Sequence, residues 1–493
     1  MNKSKHITNT FYYTTLPFLR NILSFITLPI LTRYLSPGDY GILSLLAVVM
    51  NFGWIFYLGL SNATFRLYFK YKDDFEKLRE LFSTSLVFII IAAFFYGIVI
   101  FLAYPFLNSF FFKNKLSLVW ILLSVVQYFL SYVNLINQYL NQNQYEGKKW
   151  FVNELIALFV QIPLTILLVL TTRFKFEALI ISGFVAEITK FTLLYFQVRK
   201  YYAPIFKYAL FKESFKYSWP NIPTSIMGFG YSYFDRIMLS RFQGLSQVGI
   251  LDMSCKVSVI LKMFMDGIGG TVSPITLELL TTNTEESLKK LANINLKLVF
   301  IVLFVGLAVM LFTKEMIVLL TTHEYHRIIY VVPIYIYLHI FGVLNMVCYW
   351  LVYYHQKYTF WQIPLTALAL VLNTIANMIL IPRYGFIGAA FATFISAGIV
   401  NIFTFILGLR LTPIPMNVPK IVAMFSMVFI ETALLYMVYY LNIHLISGIV
   451  IKISMLLCFA YACMIMEIFK LNEANGIIID IRDKIFSKFS ISY

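Results

Sequence analysis

Charged residues are scarce: Asp, Glu, Lys and Arg make up 13% of the 493 residues, against 60% hydrophobic. That leaves too little polar surface to cover a soluble multidomain enzyme, and excludes one. Cysteine is sparser still. The four, Cys255, Cys348, Cys458 and Cys463, all fall in apolar segments and form no C-x-x-C pair, so neither a disulfide framework nor a zinc site is expected. The six histidines are scattered, and the two in "HEYH" at 323–326 stand three residues apart where a metalloprotease helix needs four. A phosphate-cradling loop is missing too, because the Gly147-Lys148 pair has Gln142 where the first glycine of such a loop would stand. No polar stretch is long enough for a nucleotide-binding or extramembrane catalytic domain. A primary pump, a metal or other cofactor, and a catalytic role are therefore not expected.

Apolar length is what the chain has in quantity. Fourteen segments of about 20 residues, the length that spans a bilayer, lie near 11–31, 41–65, 82–104, 116–136, 151–170, 176–196, 219–240, 248–272, 292–312, 331–353, 361–381, 386–408, 421–441 and 445–468. The expected fold class is an all-α polytopic membrane protein of about 14 transmembrane helices. The net charge of +16 is distributed unevenly: the amino terminus, the loops after even-numbered spans and the carboxyl tail hold 23 Lys and Arg, the opposite loops nine. Lys and Arg stay cytoplasmic, so both termini are expected inside, with the chain in the cell inner membrane. The densest clusters are Arg66, Lys70, Lys72, Lys77 and Arg79 in one loop, and Arg199, Lys200, Lys207, Lys212 and Lys216 in another. They read as topology determinants attracting anionic membrane lipids, not as a nucleic-acid surface. Lys3 and Lys5 before an apolar run resemble a signal peptide, but Pro17, Arg20 and Pro29 interrupt it and no small-residue cleavage site follows. A retained first helix is expected.

One internal similarity stands out. "LTRYLSPGDYGILSLL" at 31–46 aligns without gaps on "LSRFQGLSQVGILDMS" at 239–254, an offset of 208 residues that pairs Arg33 with Arg241 and Gly41-Ile42-Leu43 with Gly249-Ile250-Leu251. An offset spanning six helices keeps both copies in the same orientation, the parallel-repeat arrangement of a two-lobed transporter. Pro17, Pro29, Pro163, Pro220, Pro223 and Pro364 remove backbone donors within or beside spans, a break tolerated where neighbouring helices or a water-filled cavity re-satisfy the backbone.

Seven cations remain within or near spans: Arg20, Lys190, Arg236, Lys256, Lys262, Lys297 and Lys452. Glu187 with Lys190, Asp252 with Lys256, and Lys262 with Asp266 are three or four apart and can pair on one helix face. Arg20, in "PFLRNILSFI", has only Leu16, Pro17, Leu23 and Ser24 at those spacings. A central membrane arginine costs about 2.5–3.5 kcal/mol even on insertion scales and ordinarily faces a cavity or a partner. A carboxylate from another helix (Asp235, Glu154 or Glu187) or an anionic ligand would serve. Gathered on one interior, Arg20, Arg236, Lys256 and Lys262 would form a cationic chamber, and guanidinium groups bind phosphate oxygens through paired hydrogen bonds. Glu154, Glu187 and Asp266 are candidates for binding a coupling ion.

These stretches together resemble the polysaccharide-transporter branch of the multidrug, oligosaccharidyl-lipid and polysaccharide exporter superfamily, the flippases of O-antigen or capsule repeat units. The resemblance is carried by the repeat at 31–46, "YFDRIMLSRFQGLSQVGILDMSCKV" from Tyr233 to Val257, "EYHRIIYVVPIYI" at 324–336 and "NMILIPRYGFIGAAFAT" at 377–393. It implies two pseudo-symmetric six-helix lobes (1–200 and 219–410), an inter-lobe loop (201–218), a terminal helix pair (411–469) and a cytoplasmic tail (470–493). It also implies alternating access around a cationic cavity in which Arg20, Asp235, Arg236, Lys256 and Lys262 bind an undecaprenyl-diphosphate-linked oligosaccharide, in partnership with polysaccharide polymerase and chain-length machinery. The same superfamily contains lipid II flippases and cation-coupled drug exporters, which are the alternatives, with a membrane glycan-assembly enzyme behind them. The offset of 208 brings Gly228 opposite Arg20, so the lobes need not contribute charge equally.

Overall fold

The computed structural model describes residues 3–354, 360–440 and 445–468. The expected tail at 470–493, His355 and His444 lie outside them. The described residues form helices and connecting segments without a strand, as expected where the solvent is hydrocarbon and each backbone group must be satisfied within its own segment.

Sixteen α-helices are described: α1 (Lys3–Tyr34), α2 (Pro37–Phe52), α3 (Leu60–Tyr71), α4 (Phe75–Phe110), α5 (Leu118–Asn143), α6 (Gly147–Thr171), α7 (Phe176–Val198), α8 (Tyr208–Ser218), α9 (Ile222–Gln243), α10 (Leu245–Thr282), α11 (Glu285–Leu311), α12 (Thr313–Leu320), α13 (Val332–Tyr353), α14 (Gln362–Leu411), α15 (Val418–Tyr440) and α16 (Leu445–Ile465). Among the described residues, ten helical segments are long and apolar enough to cross a bilayer. One of them, α14, runs 50 residues but breaks at Gly385 (φ 58°, ψ −133°), a conformation open to glycine and costly for other residues, so it supplies two of the expected spans. The chain folds back there tightly enough that Gly388 lies against the backbone of Leu380 and Ile381. Helices α1, α9 and α10, with 32, 22 and 38 residues, are also long enough to span and carry most of the intramembrane charge. The protein is an all-α polytopic membrane protein.

Local chemistry explains where the helices begin and end. Ser36 caps α2 through the Asp39 amide while the Asp39 carboxylate accepts from the Ser36 amide, with Pro37 in the first turn. Such a capping box contributes on the order of 1 kcal/mol. Asp74 caps α4 by accepting from the Lys77 amide, and Thr284 caps α11 through Ser287. The second expected span, 41–65, ends earlier than its hydropathy suggests. A short 3-10 turn (Gly53–Tyr57) follows α2, then Leu58 (φ 52°) and Gly59 (φ 65°) take left-handed conformations and redirect the chain into α3. The basic clusters expected in loops accordingly lie largely on ordered elements: Arg66 and Lys70 on α3, Lys77 and Arg79 in the first turns of α4, Lys212 and Lys216 on α8.

Packing divides the chain into two compact units. The first comprises residues 1–257, 317–331 and 362–396; the second comprises 258–316, 332–361 and 397–493. In the first unit α7 packs on both α5 and α6, and α6 also packs on α1. Its core centres on Tyr57, Phe82, Ile89, Tyr132 and Leu140, with the Tyr57 and Tyr132 rings stacked at 4.1 Å. In the second unit α11 packs against α13, α15 and α16. There the buried Lys452 ammonium of α16 lies 2.6 Å from Glu315 of α12.

The repeat has a direct structural expression inside the first unit. A Cβ at Gly41 of α2 would run into the backbone of Leu245, at the start of α10, and a Cβ at Gly249 of α10 would run into the backbone of Pro37, at the start of α2. Pro37 and Leu245 are themselves 208 residues apart, so the two copies pack on each other reciprocally. Ser44, three residues on from Gly41, donates to Asp252, its own repeat mate. Small residues that let helix backbones touch are the usual basis of close helix packing in membranes.

Candidate functional site

Two polar clusters lie in the first unit, on different faces of α2. The residues 40 and 44 of α2 face α9 and α10, and 43, 46, 47 and 50 line a cavity.

The first cluster joins α9, α10 and α2. Arg236 Nη1 lies 3.2 Å from Asp235 and Nη2 lies 3.8 Å from Asp252, while the Lys256 ammonium lies 3.0 Å from Asp252. Ser44 Oγ receives a hydrogen bond from Arg236 Nε at 3.2 Å and donates to Asp252 at 3.3 Å. Lys256 also sits 4.5 Å from the Tyr40 ring centroid, and the Arg236 guanidinium 5.7 Å from that of Tyr233. Two cations thus face two carboxylates. Asp235 is 6% exposed and Lys256 43% exposed, so the cluster has a closed end and an open end.

The second cluster sits in an open cavity of about 640 Å³ lined by α1, α2, α5, α6 and α7. Lys190 lies 2.9 Å from Glu154 on α6 and 3.3 Å from Glu187 on its own helix, with all three side chains no more than 15% exposed. Asn134 of α5 donates to the Glu187 carboxylate at 2.7 Å and to its carbonyl at 3.1 Å. Breaking such a pair by removing one partner costs about 3–5 kcal/mol, because an uncompensated charge stays buried. Arg20 lines the same cavity with an exposed side chain. Among the described residues it makes no ion pair and no hydrogen bond. It also borders a second pocket of about 220 Å³ between α1 and α6, lined by Ser24, Thr27, Leu158, Gln161 and Thr165 among others.

Arg236, Asp235 and Lys256 are therefore brought together, with Asp252 as the shared acceptor, and Arg20 stands in a cavity with Glu154 and Glu187. Lys262 and Asp266 belong to the second unit, where they pair with each other at 2.9 Å on an exposed face of α10. No group of three or more metal-ligating side chains occurs among the described residues. Two contributions escaped sequence reasoning: the bridge from Glu154 to Lys190 across helices, and the polar face of α5. That face carries Ser124, Gln127, Ser131, Asn134 and Gln138 into the cavity. Their alternating spacing of three and four residues is a helical stripe readable in the sequence, hidden by the apolar average around it.

Residues 7–280, more than half of the chain and including both polar clusters, match the family described as polysaccharide biosynthesis protein. The chain belongs to that family. The chain is similar over 91% of its length to 97% of a lipid II flippase, MurJ, in an inward closed conformation, at 15% identity and a TM-score of 0.68. An inward-facing multidrug resistance MATE transporter of the MOP superfamily matches 79% of this chain with 94% of its own, at 13% identity and a TM-score of 0.60. A MOP superfamily transporter from Pyrococcus furiosus, whose binding pocket is described as reversed in polarity, matches 82% at 14% identity and a TM-score of 0.53. No curated protein matches significantly in sequence. At such identities the likeness is one of fold.

Proposed function

We propose that this transporter is a flippase for undecaprenyl-diphosphate-linked oligosaccharide repeat units of O-antigen, capsule or exopolysaccharide. The observation that carries the reading is Arg20: a permanent cation halfway along a membrane helix, exposed to a polar cavity and without an anionic partner among the described residues. A diphosphate supplies what it lacks, and guanidinium and phosphate bond in pairs. The Lys190 ammonium is already held by two carboxylates, and Arg236 and Lys256 share Asp235 and Asp252. Arg20 is then the headgroup anchor, Arg236 and Lys256 form a secondary cationic edge, and Lys262 acts on the substrate only by exchanging its bond to Asp266.

In this reading the cell inner membrane holds the protein with both termini cytoplasmic, the lobes are residues 1–200 and 219–410, and access alternates between the two faces. Glu154 and Glu187 are placed to take up a coupling ion, Asp266 less so because it is exposed and paired on its own helix. The delivered repeat units pass to a polymerase. Lipid II is the cargo named for the MurJ flippase, which supports the lipid-linked class. Drug exporters hold organic cations on free carboxylates, and the two carboxylates of this cavity, Glu154 and Glu187, are engaged by Lys190. The test is reconstitution in liposomes with two cargoes: a lipid-diphosphate tetrasaccharide, scored by accessibility on the far leaflet, and ethidium. Movement of the first alone supports the proposal; movement of ethidium alone makes the protein a drug exporter.

A further inference from the structure

Resting on the flippase reading, we infer that the polar stripe of α5 is a track for uncharged sugars, which binds the glycan separately from the arginine that anchors the diphosphate. Ser124, Gln127, Ser131, Asn134 and Gln138 stand in the cavity wall. They span 15 residues of helix, a rise of about 21 Å from first to last, so the stripe runs along a length of membrane instead of marking one spot.

Part of its hydrogen-bonding capacity is unspent. Among the described residues the side-chain amides of Gln127 and Gln138 make no hydrogen bond to the protein. Asn134 spends its amide donor on Glu187, leaving its carbonyl oxygen buried without a partner. Ser124 and Ser131 donate to Trp120 and Tyr128, which leaves both hydroxyl oxygens able to accept. Unmatched polar groups inside a membrane helix are costly unless something in the cavity satisfies them.

Glycan hydroxyls fit this inventory. An amide presents donor and acceptor side by side, as does a hydroxyl, whereas a phosphate needs donors only and an organic cation needs acceptors only. The charges nearby reinforce the selection, since Glu154, Glu187 and Lys190 occupy one another at one end of the wall. The Tyr128 ring, stacked 6.1 Å from Tyr57, adds an aromatic face for the apolar side of a sugar. Gly183 on α7 is what leaves room for Gln127: a Cβ there would stand 2.5 Å from the Gln127 amide nitrogen.

The test compares two synthetic cargoes in proteoliposomes, undecaprenyl-diphosphate carrying one sugar and undecaprenyl-diphosphate carrying a neutral tetrasaccharide. The variants are Gln127→Leu with Gln138→Leu, and separately Gly183→Val, which displaces Gln127 without altering it. The expected result is a loss of about tenfold or more for the tetrasaccharide, two hydrogen bonds' worth, with the one-sugar cargo within about twofold of wild type. Equal losses on both cargoes, or none on either, overturn the track. Binding of the lipid-free tetrasaccharide to the purified protein, measured by saturation-transfer NMR, should vanish in Gln127→Leu/Gln138→Leu and persist in Arg20→Ala; the reverse pattern also overturns it. A wild type that moves neither cargo but binds the free tetrasaccharide through α5 refutes the flippase reading while keeping the track.

Discussion

The reciprocal contact of Gly41 and Gly249 predicts a specific pattern of stabilities. In Gly41→Ala the new methyl would stand 2.7 Å from the Leu245 carbonyl carbon and 3.2 Å from its Cα; in Gly249→Ala it would stand 2.8 Å from the Pro37 carbonyl carbon and 2.9 Å from the Gly41 nitrogen. All of these neighbours are backbone, so no rotamer change relieves the overlap, and α2 and the start of α10 must separate. Overpacking of this kind costs about 1–3 kcal/mol, and it has to exceed the gain of up to about 1 kcal/mol that alanine brings to a helix. Once one methyl has forced the helices apart, the second finds the space already open. The double variant should therefore cost less than the sum of the singles by at least about 0.5 kcal/mol, the scale of coupling between residues in contact. Gly97 of α4 and Gly228 of α9 are controls, because a Cβ at either meets nothing within 4 Å, and alanine there should be neutral or stabilising. Thermal unfolding of the detergent-purified protein, supported by reversible denaturation in mixed micelles, reads all five. Near-neutral single variants, or strict additivity in the double, would refute the packing of the repeats on each other.

Lys190→Met should cost about 3–5 kcal/mol by stranding Glu154 and Glu187, and adding Glu154→Gln with Glu187→Gln should recover most of it; a triple variant as unstable as the single would contradict the pairing. Gly385→Ala should cost about 1–3 kcal/mol through backbone strain alone, measured by the same unfolding assay, with Gly398→Ala, where a Cβ meets nothing within 4 Å, as the unstrained comparison. Outside the membrane spans, α8 is tied to α3 where Glu213 accepts from Lys70 and Tyr71. Burial opposes ionisation of Glu213, but those two hydrogen bonds outweigh it and hold its carboxyl below the usual carboxylate range, while the bond to Glu213 raises the Lys70 ammonium. A lowered carboxyl stabilises above its unfolded value near 4.3 and loses that stabilisation as pH falls through the folded one. Protection of the α8 amides against hydrogen exchange, relative to their intrinsic rates at each pH, should accordingly fall at acid pH in wild type and show no such step in Glu213→Gln.

Hydropathy was enough to identify a polytopic helical fold, since each apolar run of about 20 residues has one structural solution in a bilayer. It failed at 41–65, where a largely apolar, uncharged run conceals the left-handed pair Leu58 and Gly59 that ends the span. The repeat was legible as text, but the contact of its glycines was not, because a sequence offset says nothing of which copies touch. Pairs on one helix, Glu187 with Lys190, Asp252 with Lys256 and Lys262 with Asp266, followed from spacing and appear as such. The bond from Glu154 to Lys190 and that from Arg236 to Asp252 cross between helices, and no periodicity encodes them. Arg20 was recognisable by what it lacked, and the structure finds no protein anion for it among the described residues.

The most direct test of the account is Arg20 itself. Proteoliposomes containing wild type, Arg20→Lys or Arg20→Ala, loaded with lipid-diphosphate tetrasaccharide on one leaflet, would be scored for sugar exposed on the other. Wild type should move the lipid, Arg20→Lys should retain part of that rate because it keeps the charge but loses the paired geometry, and Arg20→Ala should lose it while remaining folded by size-exclusion chromatography. Wild-type rates in a folded Arg20→Ala would contradict the central claim that this arginine waits in its cavity for a phosphate.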